Sequence, residues 1–121
     1  MAKTILIADD EPSVVKILGI RLKANGYQVI AAHDGEQTIK LAQQEKPDLI
    51  ILDIKMPGKD GYTVFKELKE NLETNSIPVL FFSAFQPDKA QEQTSLLGAD
   101  GFISKSSDPD EMMSKIKDVL S

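Results

Sequence analysis

The feature that most constrains this 121-residue chain is an alternation, kept up from end to end, of short continuous apolar runs with longer amphipathic segments. Ile5-Leu6-Ile7, Leu49-Ile50-Ile51-Leu52 and Val79-Leu80-Phe81-Phe82 have no polar residue on either side of the pleat. Strands of that kind must be covered on both faces, which is the condition of a parallel sheet between two helical layers. The pattern predicts strands over Thr4–Ala8, Gln28–Ala32, Leu49–Leu52, Val79–Phe82 and Gly101–Ile103.

Explicit helix signals separate these runs. Pro12 suits a first helical turn, Val14, Ile17, Leu18 and Leu22 follow at helical spacing, and Asn25-Gly26 offers a stop. Asp34 with Gln37 three residues later forms a capping box for a second helix that should end before Pro47. A third helix is expected after Gly61, with Val64, Phe65, Leu68 and Leu72 inward. Gln86-Pro87 opens a fourth that ends near Gly98, poor in apolar residues and therefore loosely held. Asp108-Pro109-Asp110-Glu111 starts the last, with a cap, a first-turn proline and acids against the helix dipole, and Met112, Ile116 and Val119 line it. Five strands alternating with five helices specify a doubly wound α/β sheet, with right-handed crossovers and strand order 2-1-3-4-5.

Composition narrows the function. The length fits one domain over residues 1–121, with a core large enough to need no staples. The chain has no cysteine, so disulfides and thiolate zinc sites are excluded. Lys plus Arg number 14 against 19 Asp plus Glu, a formal charge of -5, and no basic stripe offers a nucleic-acid surface. No apolar run is long enough to span a bilayer or serve as a signal peptide, so no membrane role is expected and the cytoplasm is the expected location.

In an open parallel sheet, ligands bind beyond the carboxyl ends of the strands. At those ends this sequence places Asp9-Asp10-Glu11, then Asp53 followed by Ile54-Lys55-Met56-Pro57-Gly58, then Ser83-Ala84, then Ser104-Lys105. Each alone is ordinary: an Asp pair often starts a helix, and an Asp before Met-Pro-Gly often forms a turn. Their joint arrival at one rim is not. Carboxylates about 4 Å apart repel by about 4 kcal/mol per pair at an effective dielectric of about 20, so the cluster must take up protons or hold a cation. All-oxygen donors select a hard ion, and a shallow wet site suits magnesium. A cation, an ammonium and a hydroxyl around one carboxylate are what an incoming phosphoryl group requires, with Asp53 as nucleophile and an acyl phosphate as product.

With these residues in place, the sequence resembles the CheY-like receiver domains of two-component response regulators along its whole length. The resemblance rests on Ile5-Leu6-Ile7-Ala8-Asp9-Asp10-Glu11, on Leu52-Asp53-Ile54-Lys55-Met56-Pro57-Gly58-Lys59-Asp60-Gly61, on Ser83-Ala84, and on Gly98-Ala99-Asp100-Gly101-Phe102-Ile103-Ser104-Lys105. It implies a flavodoxin-like (βα)5 three-layer sandwich and a phosphoprotein that signals, catalysing its own phosphotransfer and dephosphorylation without being an enzyme in the turnover sense. It implies Asp53 as phosphoacceptor. Magnesium or manganese would be held by Asp10, Asp53 and the Lys55 backbone carbonyl, with Asp9 acting through water. Ser83 would bond the phosphoryl oxygen, Lys105 would pair with its charge, and Phe102 would be the aromatic switch that turns inward. The implied donor is a histidine kinase or histidine phosphotransfer protein. The implied output is a downstream protein bound on the face of the fourth helix, fifth strand and fifth helix.

The sequence also departs from that pattern. Ser106 follows Lys105 where the family carries a proline in a cis bond, so the Lys105–Ser106 peptide is expected to be trans and its loop looser. Lys55 and Phe85, two residues beyond Asp53 and Ser83, should obstruct the attacking water and lengthen the life of the phosphoaspartate. His33, the one histidine, is expected at the surface. Two other readings compete: a magnesium-dependent phosphatase with an aspartate nucleophile, and a degenerate receiver that never takes phosphate. The first wants a second Asp where Lys55 stands, and intact Asp9, Asp10, Asp53 and Lys105 argue against the second. With no output domain in the 121 residues, the chain is expected to be a single-domain regulator or a receiver cut from a longer protein.

Overall fold

The computed structural model describes residues 2–84 and 97–121. Its elements run β1 (Thr4–Ala8), α1 (Pro12–Ala24), β2 (Gln28–Ala32), α2 (Gly35–Glu45), β3 (Leu49–Asp53), α3 (Gly61–Glu70), β4 (Val79–Ser83), β5 (Gly101–Ser104) and α4 (Pro109–Leu120). The helix expected from Gln86-Pro87 onward lies outside the described residues, as does Phe85. The five strands form one parallel sheet in the order β2-β1-β3-β4-β5, as the alternation implied.

The unbroken apolar runs are explained by parity along each strand. Leu6 and Ala8, Ile50 and Leu52, Val79 and Phe81, and Phe102 join one buried cluster with Val64, Phe65 and Leu68 of α3. Ile5 and Ile7, Leu49 and Ile51, Leu80 and Phe82, and Ile103 join a second with Leu18 and Leu22 of α1 and Met112 and Ile116 of α4. Helices therefore cover both faces, and every residue of β3 and β4 is buried. Each large apolar side chain among them contributes about 1.5–3 kcal/mol by leaving water, which holds the central strands firmly in place. Among the described residues no helix is long and apolar enough to cross a membrane.

Helix ends differ from expectation in detail. The Asp34 side chain accepts from the Gln37 N–H at 2.8 Å, but Gln37 Oε1 takes its reciprocal bond from the N–H of His33, whose side chain is exposed. Asp108 stands at the start of α4 without a side-chain capping bond, so Pro109 and the acids Asp110 and Glu111 are left to define that end. Leu72, expected inward, is 90% exposed. Helix α3 stops at Glu70 because Asn71 turns to extended backbone, and its side-chain oxygen accepts from the N–H of Glu73. Thr74 is buried there instead, donating to the Leu68 carbonyl at 2.7 Å. On α1, Ile17 is likewise half exposed, whereas Leu18 and Leu22 are buried.

Candidate functional site

Three strands end one residue later than their apolar runs, at Asp53, Ser83 and Ser104. The ladder thus carries the polar residue in strand geometry: Asp53 pairs with Phe82 across β3 and β4, and Ser83 with Ser104 across β4 and β5. Beyond Asp53 the chain loops through Ile54–Asp60 and returns, the Gly61 N–H donating to the Ile54 carbonyl at 2.7 Å. A Cβ at Gly61 would stand 2.3 Å from the Asp53 carbonyl oxygen, so only glycine permits this return beneath the acid.

At the carboxyl edge Asp9, Asp10 and Asp53 each offer an oxygen within 4.8 Å of the others. Asp9 is fully buried and Asp53 nearly so, while Asp10 is exposed. The Asp9 Oδ1 accepts from the Glu11 N–H at 2.9 Å, which fixes the turn into α1. Lys105 reaches in from the end of β5, its backbone N–H bonded to the Ser83 carbonyl at 2.9 Å. Its Nζ lies 2.9 Å from Asp9 Oδ2, 3.2 Å from Glu11 Oε1 and 3.5 Å from Asp53 Oδ2. Although Asp9 Oδ2 is that close to an ammonium, it accepts no well-directed hydrogen bond. The contact is one of charge rather than of aligned donor and acceptor. The Lys55 N–H stands 3.4 Å from Asp53 Oδ1, a long bond.

Electrostatics follow from this crowding. Burial first, and the Asp9 charge second, push the Asp53 carboxyl up to about 6 against the pull of Lys105 and the Lys55 N–H. Burial lowers Lys105, but Asp9, Asp53 and Glu11 outweigh it, and its pKa is raised. The donor set is all oxygen, one buried carboxylate oxygen lacks a directed donor, and one ligand faces water. These properties fit a hard divalent cation that keeps part of its hydration.

A cleft of about 240 Å³ opens beside the cluster, lined by Asp10, Glu11, Asp53, Lys55, Ser83, Ala84 and Lys105. Of the expected site residues, Asp10, Asp53, Lys55, Ser83 and Lys105 line it, and Asp9 and Phe102 do not. Asp9 lies beneath it, and Phe102 is buried in the cluster of Phe81 and Phe65, its carbonyl accepting from Lys115 Nζ at 3.2 Å. The Lys105–Ser106 peptide is trans, as the absence of proline implied. Two residues were given no role by the sequence. Glu11 pairs with Lys105, a contact signalled only by its place in the acidic run. Lys59, in the loop after Asp53, joins Glu36 and Glu67, and no local pattern announces it.

Comparison with known proteins agrees with this fold. The family profile described as the response regulator receiver domain matches residues 5–117, and the chain belongs to that family, which works in two-component signalling. The alkaline phosphatase synthesis transcriptional regulatory protein PhoP of Bacillus subtilis is 39% identical over 120 residues, covering 99% of this chain and 49% of that protein. The chain thus spans about half the length of the curated relatives it matches. The chemotaxis response regulator CheY4 of Vibrio cholerae superposes with a TM-score of 0.90 at 26% identity, over 99% of this chain and all of that one (100%). The BeF3-activated N-terminal receiver domain of Klebsiella pneumoniae RstA gives a TM-score of 0.90 at 26% identity, over 97% of each chain.

Proposed function

We propose that residues 1–121 form one phosphoacceptor receiver in which Asp53 takes a phosphoryl group from a phosphohistidine on a kinase or phosphotransfer protein. One observation carries the reading: Asp53 ends a fully buried strand with Asp9 and Asp10 oxygens within 4.8 Å and Lys105 Nζ at 3.5 Å, open to a cleft. In the step, an Asp53 carboxylate oxygen forms a bond to phosphorus as the phosphorus–nitrogen bond of the donor imidazole breaks. The bonding pair returns to that nitrogen, which takes up a proton. With its pKa near 6, Asp53 is still mostly ionised at pH 7.

Asp10, Asp53 and the Lys55 carbonyl would hold Mg2+ or Mn2+, with Asp9 behind them acting through water. A divalent cation there supplies charge that neutralises the carboxylates and the transferring oxygens. Lys105 offers its ammonium to the phosphoryl group from the other side, and Ser83 its hydroxyl. Both line the cleft. Phe102 is the residue on whose packing the switch depends, and a downstream protein would dock on β5, α4 and the helix expected from Gln86-Pro87 onward, which lies outside the described residues. The setting is the cytoplasm.

The test is incubation with acetyl phosphate and Mg2+, followed by intact-mass measurement. One phosphoryl group per chain, absent from Asp53→Asn, is the expected result. Continuous release of phosphate would instead mark a phosphatase, and no modification a degenerate receiver; either would overturn the reading.

A further inference from the structure

We infer that Lys59 is a positioning residue: its clasp on Glu67 and Glu36 sets the Ile54–Asp60 loop and thereby the affinity of the acidic cluster for a divalent cation. Lys59 Nζ donates to both carboxylate oxygens of Glu67 at 2.9 Å and lies 3.5 Å from Glu36 Oε1. Glu67 is in α3 and Glu36 in the first turn of α2, so one ammonium ties the loop to two helices. The packing behind it leaves no slack. A Cβ on Gly35, at the start of α2, would stand 2.8 Å from the Lys59 Cβ and 3.0 Å from its carbonyl oxygen.

The loop is also attached at both of its ends, with the Asp60 cap and Gly61 on the Lys59 side. Ile54 and Met56 are buried in the core, and Gly61 bonds back to Ile54. Lys55 lies between the two buried anchors, with its own side chain exposed. Its N–H already faces Asp53, and its carbonyl is the loop's contribution to the cation. Without the clasp, the segment Pro57–Asp60 would keep its packing against Gly35, the Asp60 cap of α3 and the Gly61 bond to Ile54, but would lose its side-chain tie to the two helices, loosening the loop that carries the Lys55 carbonyl.

This inference rests on the reading of the cluster as a Mg2+ site. Mg2+ titration of the full chain by calorimetry separates the two. Wild type should bind. Lys59→Met should bind about three- to tenfold more weakly, below the range seen when groups directly supporting a ligand are lost. Lys59→Arg, which can keep both bonds to Glu67, should bind as wild type does. In metal-free protein, the Gly61 amide should exchange with solvent faster in Lys59→Met. Lys69→Met is the control. Lys69 bonds the Asn75 and Ile77 carbonyls beyond the other end of α3, so its loss should lower stability and leave Mg2+ affinity unchanged. A Lys59→Met protein that binds Mg2+ like wild type would overturn the role of Lys59 alone. Wild type that binds no Mg2+ would overturn the site reading and this inference together.

Discussion

Nζ of Lys105 stands 2.9 Å from Oδ2 of Asp9, and Asp9 has no exposed surface. A buried carboxylate with one cation beside it depends on that cation. Removing one partner of a fully buried pair is destabilising by about 3–5 kcal/mol, and the 13% exposure of the Lys105 side chain brings the expectation down to about 2–3 kcal/mol. Lys105→Met should therefore lower the urea midpoint of the metal-free protein, and Mg2+ should raise it more in the variant than in wild type. Equal increments would mean that lysine and metal do not share the work of neutralising Asp9.

The raised pKa of Asp53 has a direct consequence for stability against pH. Its folded value, about 6, lies above the unfolded value of 3.8, so the native state favours the protonated form. That contribution is fully present below pH 3.8, and is lost as pH rises through about 6. The full shift corresponds to at most about 3 kcal/mol. In metal-free protein, Asp53→Asn should therefore gain on wild type across this window and hold a constant advantage above pH 7. Urea denaturation at pH 4.5 and 7.5 in a chelator measures the difference. An advantage that does not grow with pH would mean that Asp53 is not strained by its burial.

Lys55 lines the cleft beside Asp53. If its long side chain crowds the approach of water to a phosphoryl group on Asp53, Lys55→Asn should speed loss of phosphate from the modified protein severalfold. The decay of phosphoprotein after removal of acetyl phosphate gives the rate. An unchanged or slower decay would rule out obstruction by Lys55.

Much of this architecture was legible in the sequence, because continuous apolar runs report burial on two faces directly. All five strand starts match the run boundaries, while three ends fall one residue short. The missing residues, Asp53, Ser83 and Ser104, are polar, and hydrophobicity cannot show that a backbone ladder continues through them. Leu72 was misread for the converse reason. Its spacing from Leu68 continues the helical period, but the period says nothing of Asn71 ending the helix first. At the site, position in the fold assembled Asp9, Asp10, Asp53, Ser83 and Lys105 from separate strands. The pairings Glu11–Lys105 and Lys59–Glu67 were invisible, because long side chains choose partners by three-dimensional proximity and not by any repeat along the chain.

Asp53 closes a strand that is hydrogen-bonded to a neighbour on each side and walled by apolar side chains on both faces. Such a carboxylate is an anvil, fixed in place by the sheet around it. Any message sent from a group placed on it would have to be carried by the pieces that can come to it, the lysine from one strand end, the hydroxyl from another and the loop that returns beneath.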